Sequence, residues 1–196
     1  MHTIMKTLKY FLLLLVAPLA FVGCEDDWGN NNSEMEHIYY FGPQVWGYDD
    51  TKQGNNNVVH YEVNQGETVA IPMQFWSEFT RSYDVTTFYY VTVDPNSAVA
   101  LVNGVDYEVV DANGTRLSPN SGGAYEMFWP QAKKGVQNVY IRALNGNTGS
   151  FRLQTFNPNS DVTLTNQDVS STIQNKTTDY EVRIFTQNYR ITVNIQ

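Results

Sequence analysis

The chain has 196 residues, a formal net charge of −8 and a single cysteine. An acidic surface cannot neutralise phosphates, which excludes nucleic acid as a partner, and it is repelled by anionic head groups. One thiol leaves no intrachain disulfide, so the domain must stand on its core alone, which a chain of this size can do.

In chain order, the first signal is one of targeting. Lys6 and Lys9 precede an unbroken apolar run, Phe11 to Val16, that continues to Val22; Gly23 and Cys24 follow. A positive start, an apolar middle and a small residue at the end are the three parts of a secretory signal. The run from Tyr10 to Gly23 is shorter than the ~20 residues needed to cross a bilayer. Residues 1–23 are therefore expected to be a signal peptide.

The stretch Ala20-Phe21-Val22-Gly23-Cys24 resembles the bacterial lipobox. That resemblance implies that Cys24 becomes the lipidated first residue of the mature chain. At ~0.8 kcal/mol per buried CH₂, two or three acyl chains such as palmitate hold a protein on a membrane stably. Glu25, Asp26 and Asp27 resemble the export signal of Bacteroides-type surface lipoproteins and imply the outer face of the outer membrane. Residues 24–36 are polar and aperiodic and are expected to form a flexible tether of up to ~45 Å.

Residues 37–196 are expected to form one all-β domain. Strand signals follow one another at short spacing: Ile38 to Phe41, Val58 to Val63, Val69 to Phe75, Val85 to Val93, Tyr107 to Val110, Ala124 to Trp129, Val136 to Leu144, Phe151 to Phe156, Tyr180 to Phe185 and Tyr189 to Ile195. Val69, Ile71, Met73 and Phe75 make a period-2 row, as do Tyr189, Ile191, Val193 and Ile195. Gly42-Pro43, Asn113-Gly114, Asn145-Gly146 and Asn157-Pro158 punctuate them as turns. Gln44 to Asn57 is turn-rich and expected to be a loop. Seven to nine of these, short and alternating, predict a single immunoglobulin-like antiparallel β-sandwich.

From Val59 to Ile195 the order of features resembles the Calx-beta-type immunoglobulin-like sandwich. The matching residues are Tyr61-Glu62-Val63-Asn64-Gln65-Gly66-Glu67, Ala100 with Gly104-Val105-Asp106-Tyr107, Lys133-Lys134-Gly135-Val136 before Val139-Tyr140-Ile141, Phe151-Arg152-Leu153 with Asn157-Pro158, and Ile191-Thr192-Val193. The family's calcium sites use several carboxylates. Asp106 falls on one such position, but Gln65 stands where an acid is usual and Asn145 to Gly149 replaces an acidic stretch. Calcium needs six to eight oxygens, several of them charged, so no metal or other cofactor is expected. The whole chain also resembles small accessory lipoproteins encoded with glycan uptake systems.

Catalytic chemistry finds little footing. Past the signal, the only histidines, His37 and His60, lack ligand-spaced neighbours. There is no Gly-x-Ser-x-Gly nucleophile motif, and the paired carboxylates Asp26-Asp27 and Asp49-Asp50 fall in the tether and a loop. No enzyme activity is expected. The aromatics are the stronger signal, because rings beside amides and carboxylates suit the C–H faces and hydroxyls of sugars. Trp46 and Tyr48, beside Asp49 and Asp50, are the leading candidates, followed by Trp76 and Trp129; one or two of the four tryptophans are expected in the core. These features predict a non-enzymatic surface lipoprotein that binds glycan or acts as a scaffold near a glycan uptake system. The alternative is a structural or adhesin-type protein that binds another envelope protein through a sheet edge.

Overall fold

A computed structural model describes residues 37–45, 59–160 and 171–196. Cys24, Glu25, Asp26, Asp27, Trp46 and Tyr48 lie outside the described residues. Among the described residues are eleven strands: β1 (Ile38–Pro43), β2 (His60–Val63), β3 (Thr68–Trp76), β4 (Val85–Val93), β5 (Tyr107–Val110), β6 (Ala124–Trp129), β7 (Gly135–Ala143), β8 (Gly149–Gln154), β9 (Ser171–Lys176), β10 (Glu181–Phe185) and β11 (Arg190–Ile195). They form two sheets, β5-β7-β3-β1-β10-β9 and β2-β11-β8-β4-β6, stacked as a sandwich.

Period-2 patterning places the core. Ile71, Met73 and Phe75 of β3 are fully buried, as are Phe41, Val139, Ile141, Phe151, Leu153 and Val193 of their neighbours. Residues between them point outward and stay partly exposed, as the pleat requires. Pro72 sits in an interior strand without breaking a ladder. Its carbonyl accepts from Gln44 N–H just past the end of β1, so the side of the chain that lacks a donor faces a place where pairing has already ended.

The all-β sandwich agrees with the sequence, but its ladders are mixed rather than uniformly antiparallel. β1 runs parallel to β10, with Ile38 opposite Glu181, and β2 runs parallel to β11, with Val193 opposite Tyr61. Each sheet is thus completed by joining an early strand to a late one, a pairing that needs a long connection and leaves no local trace.

β9 is the strand the sequence does not announce. Ser-Thr-Ile-Gln-Asn-Lys has no apolar alternation, and it sits at a sheet edge beside β10. Its role lies in its amides. β8 covers β4 only from Tyr90 to Val93, so among the described residues no strand lies on the other side of the half of β4 that pairs with β6. Side chains close that gap. Phe88 N–H donates to Gln174 Oε1 at 3.0 Å, and Phe88 C=O accepts from Gln174 Nε2 at 2.8 Å. Thr86 N–H donates to Tyr180 Oη at 3.2 Å, and Thr86 C=O accepts from Asn175 Nδ2 at 3.2 Å. An amide held in this way satisfies a backbone donor and acceptor as a neighbouring strand would.

Candidate functional site

The structure separates the two described tryptophans that the sequence put forward as ligand contacts. Trp129 is 2% exposed. Its indole stacks on Phe75 at 5.0 Å between ring centroids, meets Phe41 edge-on at 6.2 Å, and donates its N–H to Thr87 Oγ1 at 2.9 Å. This corrects its expected role: Trp129 is a core residue, and no ligand outside the sandwich reaches its ring. Its position at the inward-facing end of β6, with the indole N–H satisfied, is what full burial of a tryptophan requires.

Trp76 ends β3 on the outer face of the six-stranded sheet, directly opposite Tyr40. Phe185 completes a cluster, stacked on Tyr40 at 4.9 Å and meeting Trp76 edge-on at 5.5 Å. All three are half-buried. Tyr40 and Phe185 cover one face of each other, and each of the three rings keeps part of its surface in solvent.

Asp106 is buried and serves a loop. Its carboxylate accepts from Val102 N–H at 2.7 Å, Asn147 N–H at 2.7 Å and Asn147 Nδ2 at 3.0 Å. These bonds, led by the Asn147 N–H, hold its pKa below the usual 3.8. The loop can approach because position 146 is glycine: a Cβ there would collide with Asp106 Oδ1 and lie 2.7 Å from Val105 C=O. The Gly-Val-Asp-Tyr element is therefore a structural staple whose oxygens are already engaged. Among the described residues no group of three or more His, Cys, Asp or Glu side chains could hold a metal ion. His60 is exposed on β2, and His37 Nδ1 lies 2.7 Å from Tyr83 Oη.

A shallow, open cavity of about 360 Å³ lies between Asn96, Ser97, Ser150 and Asn194. Asp94 nearby is engaged by Ser150 Oγ at 2.8 Å, Asn96 N–H at 3.0 Å and Arg152 at 3.2 Å. None of the described residues that line the space carries an ionisable side chain.

An open edge lies on β6. Thr86 and Phe88 turn their backbone groups away from β6, so the residues opposite them, Phe128 and Glu126, turn theirs away from β4 and out of the sheet. Two caps close part of this edge. Asn120 bonds both Ala124 N–H and Ala124 C=O, and Gln137 Nε2 donates to Phe128 C=O at 2.7 Å. Among the described residues, Glu126 N–H, Glu126 C=O and Phe128 N–H have no partner. Their side chains point to the outer face, where Phe128 is 55% exposed.

Two of the other edges, β5 and β2, differ. β5 is covered by the Thr115–Leu117 segment, through Leu117 N–H to Val109 C=O at 2.8 Å. β2 has four residues and carries His60 and Glu62 outward, the short charged form that blunts an edge. Just past β6, Gln131 and Ala132 both adopt the left-handed conformation, with φ of 56° and 49°. Non-glycine residues pay about 1–3 kcal/mol for such geometry, which clusters at functional sites. The sequence showed Ala124 to Trp129 as a strand; that this strand is an edge with open backbone groups has no local signature.

No family model matches the chain, and no curated protein matches it. Solved structures overlap it loosely. A chain of a type I cohesin–dockerin complex from Clostridium thermocellum is 7% identical over 71% of this chain and 96% of that one, with a TM-score of 0.31. AvmM, which catalyses macrocyclization in alchivemycin A biosynthesis, is 12% identical over 82% and 89%, with a TM-score of 0.33. A family 123 glycoside hydrolase from Clostridium perfringens is 10% identical over 81% of this chain and 27% of that one, with a TM-score of 0.29. Overlap this loose carries no argument about partner or activity.

Proposed function

We propose that the chain is a non-enzymatic, lipid-anchored protein of the outer-membrane surface that binds an envelope protein by taking an extended segment of it as a further strand on β6. The observation that carries this reading is the open stretch at Glu126 and Phe128, with unpaired backbone groups beside an exposed aromatic ring. Such an edge is a template for strand addition, in which main-chain hydrogen bonds supply affinity and alternate side chains supply selectivity.

A photo-crosslinking residue placed at Glu126 in cells is expected to capture one discrete envelope protein, and the same residue at the exposed Ile173 on β9 is not. Glu126→Pro should abolish that interaction without unfolding the domain, because the N–H it removes points out of the sheet. Met127→Pro removes a ladder donor to β4 and should unfold it. Equal labelling from both positions would refute the edge. The anchor is tested separately: Cys24→Ser should abolish palmitate labelling and release the chain from the membrane pellet, and retention there would overturn acylation.

Glycan binding is the second reading, and the half-exposed Tyr40–Trp76–Phe185 cluster favours it. Trp76→Ala should then lower retardation in a polysaccharide gel; unchanged mobility on every gel tried would remove it.

A further inference from the structure

We infer that the segment received by β6 comes from another protein and carries a cationic side chain opposite Glu126 with an apolar one opposite Phe128. The inference rests on the strand-addition reading above and specifies the partner's chemistry.

The open window fixes the register. Asn120 uses both backbone groups of Ala124, and Gln137 holds the carbonyl of Phe128. An antiparallel newcomer therefore exchanges two bonds with Glu126 through a single residue, and the residue two before it gives its carbonyl to Phe128 N–H. Side chains directly opposite on one face lie about 4.5–5.5 Å apart, where unlike charges stabilise and like charges destabilise. The residue facing Glu126 thus meets a carboxylate, and the residue facing Phe128 meets a ring that is 55% exposed.

A second copy of the chain fits this window poorly. A two-fold pairing centred on Glu126 sets the carboxylate against its own copy. One centred on Phe128 sets Glu126 against Pro130, which has no N–H for Glu126 C=O. One centred on Ala124 needs the groups that Asn120 already holds. Only pairing about Met127 matches donors to acceptors. It makes Gln137 share the Phe128 carbonyl, leaves Glu126 facing a phenyl ring, and brings together two chains each of net charge −8. A cationic segment satisfies the same backbone groups, adds a charge pair, and is drawn to the acidic chain.

The test uses two nine-residue probe peptides of alternating threonine and valine that differ only in a central Lys or Glu, titrated into the isotope-labelled full chain. The expected result is slowed hydrogen exchange at the Glu126 and Phe128 amides. At low salt the Lys peptide should bind at least about 5-fold more tightly. Glu126→Lys, an exposed substitution with no ladder bond at stake, should reverse the preference. Equal affinity for both peptides, with Glu126→Pro abolishing binding of both, would overturn the charge selection and leave the edge reading standing. Binding unaffected by Glu126→Pro, or no effect of either peptide on these amides, would overturn both. A concentration-dependent dimer of the chain that protects the same amides would make a second copy the occupant and overturn the inference.

Discussion

Gln174 offers the sharpest test of how this sandwich closes. Gln174→Ala removes an amide that bonds Phe88 N–H, Phe88 C=O and Thr155 C=O. Among the described residues no strand stands ready to replace it, because β8 does not reach that half of β4. A typical hydrogen bond is worth about 1 kcal/mol net, and a buried group left unsatisfied costs about 1–3 kcal/mol. Phe88 is half-buried, so water recovers part of the loss. The expected destabilisation is about 3 kcal/mol, summed over three bonds of that size. With a urea slope of about 2 kcal/mol per molar, the midpoint should fall by about 1.5 M.

Gln174→Glu keeps an acceptor for Phe88 N–H but sets a carboxylate against two carbonyls, so it should be at least as damaging. Gln137→Ala is the matched control. It removes a similar amide-to-carbonyl bond on the exposed edge of β6 and should cost under about 0.5 kcal/mol, as surface substitutions do. Urea unfolding followed by tryptophan fluorescence measures all three. A Gln174→Ala variant as stable as the wild type, or a Gln137→Ala variant equally weakened, would refute the idea that β9 acts as a surrogate strand.

Acid should act through Asp106, whose folded pKa lies below its ordinary 3.8 because the Asn147 and Val102 N–H groups bond its charged form. A depressed carboxyl contributes stability that is present above the ordinary value and lost as pH falls through the folded one. The wild type should therefore weaken more steeply below pH 3.8 than Asp106→Asn, and parallel denaturation-versus-pH curves would refute this. Gly146→Ala drives a methyl group into Asp106 and the Val105 carbonyl. It should cost about 1–3 kcal/mol by urea unfolding, as overpacking does; a neutral result would mean that the loop yields freely. Trp129→Phe keeps the stack on Phe75 but leaves Thr87 Oγ1 without its donor inside the core, at a cost of about 2 kcal/mol. Thr87→Val should add little on that background, and full additivity would refute the coupling.

Particular residues show how far local patterning reaches. Alternation of Val69, Ile71, Met73 and Phe75 identifies a strand and its buried face, because a pleated chain with one dry side must bury every second residue. Asn-Gly and Asn-Pro pairs mark turns by backbone chemistry alone. The same period-2 reading puts Trp76 on the opposite face from Phe75, and the structure agrees. β9 escapes it because its stability comes from Gln174 and Asn175 reaching across to β4 rather than from apolar alternation.

Trp129 lies inside the sandwich because Phe75, Phe41 and Thr87, each from a different strand, converge on it. Nothing within Ala124 to Trp129 specifies those neighbours. The parallel joins of β1 to β10 and β2 to β11 are likewise set by strands far apart in the chain. The open edge at Glu126 is the clearest case. A residue's own chemistry states that it has one donor and one acceptor on its backbone, but whether they are paired depends on which strand lies alongside. The sequence by itself determined the strand class, the turns and the alternating faces, because those are properties of neighbouring residues. Tertiary structure alone decided strand order, burial of Trp129 and the vacant groups of β6, because those depend on what the rest of the chain brings beside them.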